Sequence, residues 1–349
     1  MLVSDRADAR RMEVRLGRRP CPEYLRLEER HDVELLDWSR LGDGARSRSA
    51  RLSVAHAAAA LRRLGELDAV FSDGEHVGVP LALAMRASGR VTPHLMLGHH
   101  LTTGPKRRVF RLLRPQARIT RILVHSRRQL GLIQTELGVP GHKLRFVPYF
   151  ADTHFWTPQP VEEEALVVSA GREHRDYATL AAASAHLPAR VFVAAGSLFS
   201  PGAHWARPVT WPDNASTGSA DHLELRAWYA RASVVAVPLV PNDFQAGVTT
   251  LLEAMAMGKA VVVTATEGQR DIVQDGVTGL TVPPGDAVAL REAISQLLAD
   301  PREQARLGAN ARDLVTGQFS LDLYTDKLAG HLTEVSLAPC PSTPTPGCL

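Results

Sequence analysis

Short apolar runs and longer amphipathic segments alternate along this chain of 349 residues. The runs are rich in β-branched residues and have the length of buried strands, whereas the segments between them have helical periodicity. Because parallel strands need helical crossovers, this alternation predicts an α/β protein whose parallel sheets are covered by helices on both faces. The predicted strands are 68–72, 94–98, 121–125, 145–148, 165–170, 189–194, 208–211, 233–238 and 260–264. The predicted helices are 76–87, 127–137, 177–185, 223–232, 248–257 and 287–299.

The length of the chain favours two domains, at roughly 150 residues each. Residues 149–164 carry two prolines, little periodicity and an acidic run, so we place the boundary there. We expect two doubly wound, Rossmann-like domains that face each other across a cleft, with ligands bound beyond the carboxyl ends of their strands. The expected segments are a domain at 1–150, a domain at 151–320, a C-terminal helix at 321–335 and a disordered tail at 336–349.

Composition and charge remove several classes of function. The formal net charge of +3 is too small to indicate a nucleic-acid-binding protein. The three cysteines show no zinc or disulfide spacing, no Asp-x-Asp occurs, and the histidines lack the spacing of metal ligands, so we expect no metal and no cofactor. Neither a signal peptide nor an apolar stretch of about 18 to 20 residues is present, so we expect a soluble cytoplasmic protein.

The segment 238–258 carries the clearest candidate chemistry. A predicted strand ends at its start, a loop follows, and a helix then begins at Gly247. Glycine at a helix N-terminus lets a ligand approach the backbone, and the free N–H groups and helix dipole there favour a diphosphate. Thr249 adds a hydroxyl donor, and Glu253 lies one turn further on, within an apolar run. The alternative is an ordinary strand–loop–helix unit whose glutamate faces solvent, and this pattern alone does not decide between the two.

Residues 245–264 and 271–286 resemble the donor-site signature of family-four retaining glycosyltransferases of the GT-B fold. The resemblance extends over most of 120–335. The family pattern has two glutamates eight residues apart. The first typically contacts the hydroxyls of the donor sugar, and the second typically binds the nucleotide ribose. Here the second is Glu253, and Gln245 replaces the first. The resemblance implies a donor domain at 151–320 with these binding residues: Arg172, Arg175, Gln245, Ala246, Gly247, Val248, Thr249 and Glu253.

The segment 169–177 is similar to the family's phosphate-binding turn. Arg172 matches the arginine of a Gly-Arg pair, and Arg175 is the candidate for the lysine that follows it. Fixed cations stabilise the charge that develops as a nucleoside diphosphate leaves. The alternative for Arg172 is a surface ion pair with Glu173 or Asp176, which the motif makes the weaker interpretation.

The resemblance is weaker in residues 1–120, which it assigns to the domain that binds the acceptor. His99 and His100 follow a predicted strand at a place where the family often has a histidine on donor or acceptor, so they are our catalytic candidates. Asp73 follows an earlier strand, and capping of the next helix explains it adequately. The family's glycine-rich loop after the first strand is missing, since no glycine precedes Gly17.

The resemblance implies a glycosyltransferase that moves a sugar from a nucleoside-diphosphate donor to an unidentified small-molecule or glycan acceptor. It further implies retention of anomeric configuration, with the donor phosphate acting as base and no metal ion. Two alternatives stay open. One is a non-catalytic homologue that binds nucleotide sugars and scaffolds a partner, and the other is an epimerase of the same fold.

Residues 101–135 hold nine basic residues and no acidic one, interleaved with apolar side chains. A basic amphipathic segment of this kind can lie on an anionic membrane surface or hold an anionic acceptor. The alternative, a solvated helix face, is the interpretation that the sequence favours.

The amide at Gln245 predicts an altered donor preference, because an amide offers one acceptor and one donor group where a carboxylate accepts two hydroxyls. We expect Gln245→Glu to change the relative rates with donors that differ at the sugar 3- or 4-position, including deoxy- and amino-sugars. Initial rates on a panel of nucleotide sugars measure this. Equal donor preference and equal rates in the two proteins would contradict the hypothesis.

Overall fold

The computed structural model describes residues 1–41, 49–195, 209–269 and 271–337. Its contacts divide the chain into two compact units. The first comprises Met1–Met12, Pro22–Val147 and Thr325–Leu349, and the second comprises Glu13–Cys21 and Pro148–Tyr324. The tail expected at 336–349 lies outside the described residues from residue 338 onward.

The sheet of the first unit has four parallel strands in the order β1-β2-β3-β4. Parallel bridges join Leu2 to both Leu36 and Ser72, so the chain start extends the sheet beyond β1. With these two short segments the order matches the flavodoxin-like arrangement, whose topological switch point lies between the first segment and β1. The strands are β1 (Val70–Ser72), β2 (His94–Leu97), β3 (Arg121–Val124) and β4 (Leu144–Phe146). The helices are α1 (Ala7–Arg15), which continues into the second unit, α2 (Glu23–His31), α3 (Ala50–Arg63), α4 (Glu75–Ser88), α5 (Gly104–Leu113) and α6 (Arg127–Leu137).

The sheet of the second unit has six parallel strands in the order β10-β9-β8-β5-β6-β7. This is the doubly wound Rossmann order, in which the direction of winding reverses between β5 and β8. The strands are β5 (Glu164–Ala170), β6 (Arg190–Ala194), β7 (Ala215–Gly218), β8 (Ala232–Val237), β9 (Ala260–Thr264) and β10 (Leu280–Val282). The helices are α7 (Tyr177–Ser184), α8 (His222–Arg231), α9 (Val248–Ala256), α10 (Ala287–Ala299) and α11 (Pro301–Gln318), and α12 (Leu321–Ser336) runs from this unit into the first.

Both faces of the second sheet are buried, which explains its continuous apolar strands. Successive residues of β8 alternate between two cores: Val235 packs in one, and Val234 in the other. Helix α9 covers the first face, and α10 covers the second. The predicted α/β class with two parallel, Rossmann-like sheets is therefore confirmed.

The strand predicted at 208–211 is wrong for its described residues, because 209–211 form no strand. The sheet edge is instead β7, whose alanine, serine, threonine and glycine lack the apolar run that marks a buried strand. Trp211, the last residue of the predicted strand, packs beside Tyr177 with ring centroids 5.9 Å apart. Edge strands carry weak hydrophobic signals because one side of the strand has no neighbour.

No helix in the described part of the chain combines the length and the apolar character that crossing a bilayer requires.

Helix α11 approaches the turn after α9 so closely that only glycine fits at the contact. A Cβ at Gly308 would overlap the carbonyl oxygen of Gly258. We expect Gly308→Ala to lower the free energy of unfolding by about 1–3 kcal/mol, because the two backbones must separate. A Cβ at Gly317 on the same helix would meet no neighbour within 4 Å, so Gly317→Ala is the matched control and should stabilise by up to about 1 kcal/mol. Urea unfolding of both variants measures this, and equal stabilities would contradict it.

Candidate functional site

Two loops meet at the switch point of the second unit. One follows β5 and contains Arg172 and Arg175, and the other follows β8 and leads into α9. An antiparallel bridge joins Arg175 to Leu239, and the amide of Val240 donates to the carbonyl of His174 at 3.0 Å. Because β5 and β8 are neighbours in the sheet, the fold brings together the two motifs that the sequence singled out. This is the edge at which doubly wound sheets bind ligands.

The N-terminus of α9 begins at a left-handed glycine. Gly247 has φ +80° and provides no side-chain cap. Thr249, in the first turn, is exposed, whereas Thr250 is buried and donates its hydroxyl to the carbonyl of Ala170 at 3.3 Å. An uncapped helix N-terminus with a positive dipole end favours a negatively charged group, and a diphosphate is one such group.

Arg175 is buried between the two loops. Its Nε donates to the carbonyl of Ala170 at 2.8 Å, Nη1 donates to the carbonyl of Glu173 at 3.0 Å, and Nη2 donates to Oγ1 of Thr250 at 3.0 Å. Two glycines with positive φ flank the guanidinium. A Cβ at Gly171 would lie 2.5 Å from Nη2, and a Cβ at Gly247 would lie 3.0 Å from Nη1. Two of its N–H groups therefore bind the end of β5 and its loop, a third binds α9, and burial lowers the pKa of Arg175.

Glu253 lies in the second turn of α9 with its carboxyl group buried. Burial raises its pKa to about 8, although the charge of Arg175 opposes that shift. The buried phenol of Tyr229 belongs to the same cluster, and burial together with the charge of Glu253 raises its pKa. The solvent-facing glutamate considered above is thus excluded, and a buried carboxyl group at this place can accept hydroxyl donors from a ligand.

Arg172 is half-buried at the start of the loop after β5. Within the described residues it forms no ion pair with Glu173 or Asp176, so the alternative interpretation of this arginine is not supported. Asp176 instead caps α7, accepting from the amide of Thr179 at 3.1 Å and from its hydroxyl at 2.7 Å. Arg172 therefore keeps a guanidinium without an ion-pair partner among the described residues, on the loop after β5.

The loop before α9 packs against the segment after β9, a contact that the sequence did not reveal. Gln245 is buried, and its Oε1 has no hydrogen-bond partner among the described residues. The side-chain amide of Gln269 donates to the carbonyl of Ala246, and a Cβ at Gly268 would overlap the carbonyl oxygen of Phe244. Gln269 and Gly268 follow β9, far from Gln245 in sequence, so only the fold could find them.

In the first unit, His99 lies at the carboxyl edge of the sheet, as expected. Its Nε2 lies 3.0 Å from the carbonyl of Asp73, which can only accept, so this nitrogen donates to it. The backbone amide of His99 donates to Glu75 at 3.0 Å, and Lys106 donates to Glu75 at 2.6 Å and to the carbonyl of His100 at 2.8 Å. Burial raises the pKa of Glu75, but the charges of His99 and Lys106 outweigh this and lower it to about 2.

The expectation that Asp73 caps the following helix is wrong. The N-cap of α4 is Gly74, and no side chain caps it. Asp73 instead accepts from the amide of Ser4 at 2.5 Å and from its hydroxyl at 3.0 Å, and His76 Nε2 lies 2.6 Å from the same hydroxyl. Ser4 ends the segment that pairs beside β1, so this polar cluster occupies the switch point of the first unit. The sequence could not show it because 69 residues separate Ser4 from Asp73.

In the part of the chain that the structure describes, no three His, Cys, Asp or Glu side chains converge into a group that could hold a metal ion.

Comparison with known proteins supports the resemblance. Residues 174–300 match the family model of the Glycosyl transferases group 1. Alpha-D-kanosaminyltransferase of Streptomyces kanamyceticus is 31% identical over 99 residues, which are 28% of this chain and 26% of that protein. A D-inositol 3-phosphate glycosyltransferase of Xylanimonas cellulosilytica is 42% identical over 92 residues, which are 26% of this chain and 21% of that protein. The chain thus spans about a quarter of the length of these curated relatives.

Solved structures extend the likeness to most of the chain. HepE of Anabaena, in complex with UDP and glucose, has a TM-score of 0.68 at 16% identity and covers 89% of each chain. Sucrose-phosphate synthase of Thermosynechococcus elongatus has a TM-score of 0.67 at 20% identity, covering 82% of this chain and 78% of that one. These neighbours are GT-B proteins with two Rossmann-like domains, so the predicted GT-B fold is confirmed.

The raised pKa of Glu253 predicts a pH-dependent stability. Because its pKa rises from 4.5 to about 8 on folding, the folded chain keeps a proton that the unfolded chain has lost. The stability of the wild type relative to Glu253→Gln should therefore fall as pH rises from about 4.5 to 8, because the variant shares the contributions of the buried histidines and lacks only that of Glu253. Thermal unfolding at pH 5 and pH 8 tests this, with the exposed Glu292→Gln as control. Parallel pH profiles for wild type and Glu253→Gln would contradict the buried carboxyl group.

Proposed function

Since residues 174–300 match the group 1 glycosyl transferases, we propose that this chain transfers a sugar from a nucleoside-diphosphate donor to an acceptor. The observation that carries the proposal is the uncapped N-terminus of α9, with buried Glu253 one turn further on and Arg172 on the adjoining loop after β5. The cation and the helix end suit a diphosphate, and the carboxyl group suits the hydroxyls of a ribose. HepE, which shares the fold, binds UDP and glucose, so nucleoside-diphosphate sugars are the first donors to test.

In this proposal each side chain of the second unit has one role. Arg172 and the first-turn amides of α9, with Thr249, hold the diphosphate, while Arg175 fixes the two loops that carry them. Glu253 accepts from the ribose, and Gln245 faces the donor sugar through its buried, unpartnered oxygen. His99 or His100 of the first unit contacts donor or acceptor, and the hydrogen bond from Nε2 of His99 to the carbonyl of Asp73 orients its ring.

The proposed chemistry is transfer with retention and needs no protein nucleophile. The bond between the anomeric carbon and the diphosphate oxygen breaks, and the acceptor oxygen forms its bond on the same face of the sugar. The acceptor proton passes to the departing phosphate oxygen, whose growing charge Arg172 and the α9 dipole stabilise. Gln245 stands where the family has a carboxylate, and an amide cannot serve as a nucleophile.

The non-catalytic scaffold is the weaker alternative, because the relatives that match this chain are named as transferases. Turnover distinguishes the two proposals. Release of nucleoside diphosphate from a nucleotide sugar, even as slow hydrolysis without acceptor, supports the enzyme. Stabilisation by the donor with no turnover on any acceptor supports the scaffold.

The donor site predicts that nucleotide sugars stabilise the protein against heat. A donor at 100 times its dissociation constant adds about 2.7 kcal/mol to the free energy of unfolding. We expect Arg172→Ala to weaken binding of that donor roughly ten- to hundredfold, because a charged hydrogen bond to the diphosphate is lost. Arg302→Ala, an exposed arginine on α11, is the matched control. Equal affinity in wild type and Arg172→Ala, or stabilisation by no nucleotide sugar in the panel, would contradict the proposed site.

A further inference from the structure

Helix α5 exposes two neighbouring leucines to solvent. Leu112 is 78% exposed and Leu113 is 49% exposed, whereas Phe110 is fully buried. A solvated helix face, which the sequence favoured, predicts that the apolar residues of this segment pack inward. Phe110 does so and Val109 does so in part, but the two leucines do not. Leu112 and Leu113 are adjacent in the chain, so they place two apolar side chains next to each other at the end of this charged helix.

The region around α5 holds a large excess of positive over negative charge, whereas the rest of the chain holds an excess of negative charge. Residues 75–146 contain thirteen Lys and Arg but two acidic residues, while the rest of the chain contains 27 basic and 35 acidic residues. Both acidic residues are already paired. Glu75 binds Lys106 at 2.6 Å, and Glu136 binds Arg107 at 2.8 Å.

The remaining arginines of α5 therefore present their charge to solvent beside the leucines. Arg108, Arg111 and Arg114 are all exposed. Within the described residues, no ion pair neutralises Arg108 or Arg114. The surface thus combines apolar and cationic side chains at the C-terminal end of α5, in its last turn at Arg111, Leu112 and Leu113 and at its C-cap, Arg114.

The orientation of α5 is fixed by contacts on its inner side. Phe110 is anchored in the core of the first unit. Arg111 Nε donates to the carbonyl of Glu136 at 3.0 Å, and Arg107 Nε donates to the carbonyl of Thr102 at 2.6 Å. At the C-terminal end of the helix, Arg86 donates to the carbonyl of Leu113 at 2.6 Å. The exposed leucines are therefore presented by a folded helix, and docking needs no rearrangement of its backbone.

We propose that the outer face of α5, formed by Arg108, Arg111, Leu112, Leu113 and Arg114, docks on an anionic lipid bilayer. Arginine side chains are attracted to the negative surface of such a bilayer, and leucines partition into the boundary between headgroups and acyl chains. Nucleic acid offers the same charge but nothing apolar to cover two adjacent leucines, so the bilayer fits both halves of the surface. This surface lies outside the proposed donor site and does not depend on the proposed activity.

Sedimentation of the full-length chain with vesicles tests this docking. We expect binding to mixed phosphatidylcholine–phosphatidylglycerol vesicles at low salt, weaker binding at high salt, and little binding to phosphatidylcholine alone. Leu112→Ser with Leu113→Ser should weaken binding to the mixed vesicles about tenfold or more, because the buried apolar area is lost. Arg108→Glu with Arg114→Glu should weaken it by more than about tenfold, since about fivefold is expected per charge removed.

The matched control is Arg51→Glu with Val54→Ser on α3, which makes the same kinds of change at an exposed arginine and a 58% exposed valine. It should bind mixed vesicles like the wild type. If the double leucine variant loses its thermal transition, Leu112→Ser alone, at the more exposed site, serves for the same measurement. Binding to mixed vesicles that is absent, or that the leucine changes leave intact, would overturn the proposal. So would binding to a duplex oligonucleotide that matches the vesicle affinity and is insensitive to the leucine changes.

Discussion

The buried guanidinium of Arg175 is the interaction on which the arrangement of the second unit's switch point depends. It reaches from the loop after β5 to the threonine hydroxyl on α9, and two left-handed glycines, Gly171 and Gly247, leave the space it occupies. A buried cation is costly unless hydrogen bonds compensate it, so the two carbonyls and Thr250 that accept from it are part of the same unit. These contacts tie the loop after β5 to the first turn of α9.

The charge of Arg175 also shapes the chemistry of its surroundings. It opposes, but does not cancel, the effect of burial on Glu253, whose pKa stays raised at about 8. The site therefore holds a carboxyl group that burial leaves poorly solvated. Arg172 differs in kind, because it is half-buried and unpaired within the described residues. Two arginines three residues apart thus have separate tasks, one holding the loops and one available to an anion.

The first unit also has a switch point at the carboxyl edge of a parallel sheet, but different side chains occupy it. Its switch point holds Asp73, Ser4 and His76 in place of a glycine-rich loop, and His99 lies beside them with a proton fixed on Nε2. The unit also concentrates positive charge around α5. Lys106 of that helix binds Glu75 and the carbonyl of His100 at the carboxyl edge, whereas Arg108, Leu112 and Arg114 are exposed.

The sequence by itself determined the class of fold and the location of the candidate site. Continuous apolar runs required strands buried on both faces, and the pattern from Gln245 to Glu253 required a loop that opens a helix, so both could be predicted from neighbours in the chain. Tertiary structure decided what each polar group does. Arg175 is buried because Gly171 and Gly247 leave space for its guanidinium. Asp73 binds Ser4, 69 residues away, and does not cap α4. Leu112 is exposed because α5 packs through Phe110. Periodicity reports which face of an element is apolar, but contacts between distant segments decide which groups are buried, paired or left for a ligand.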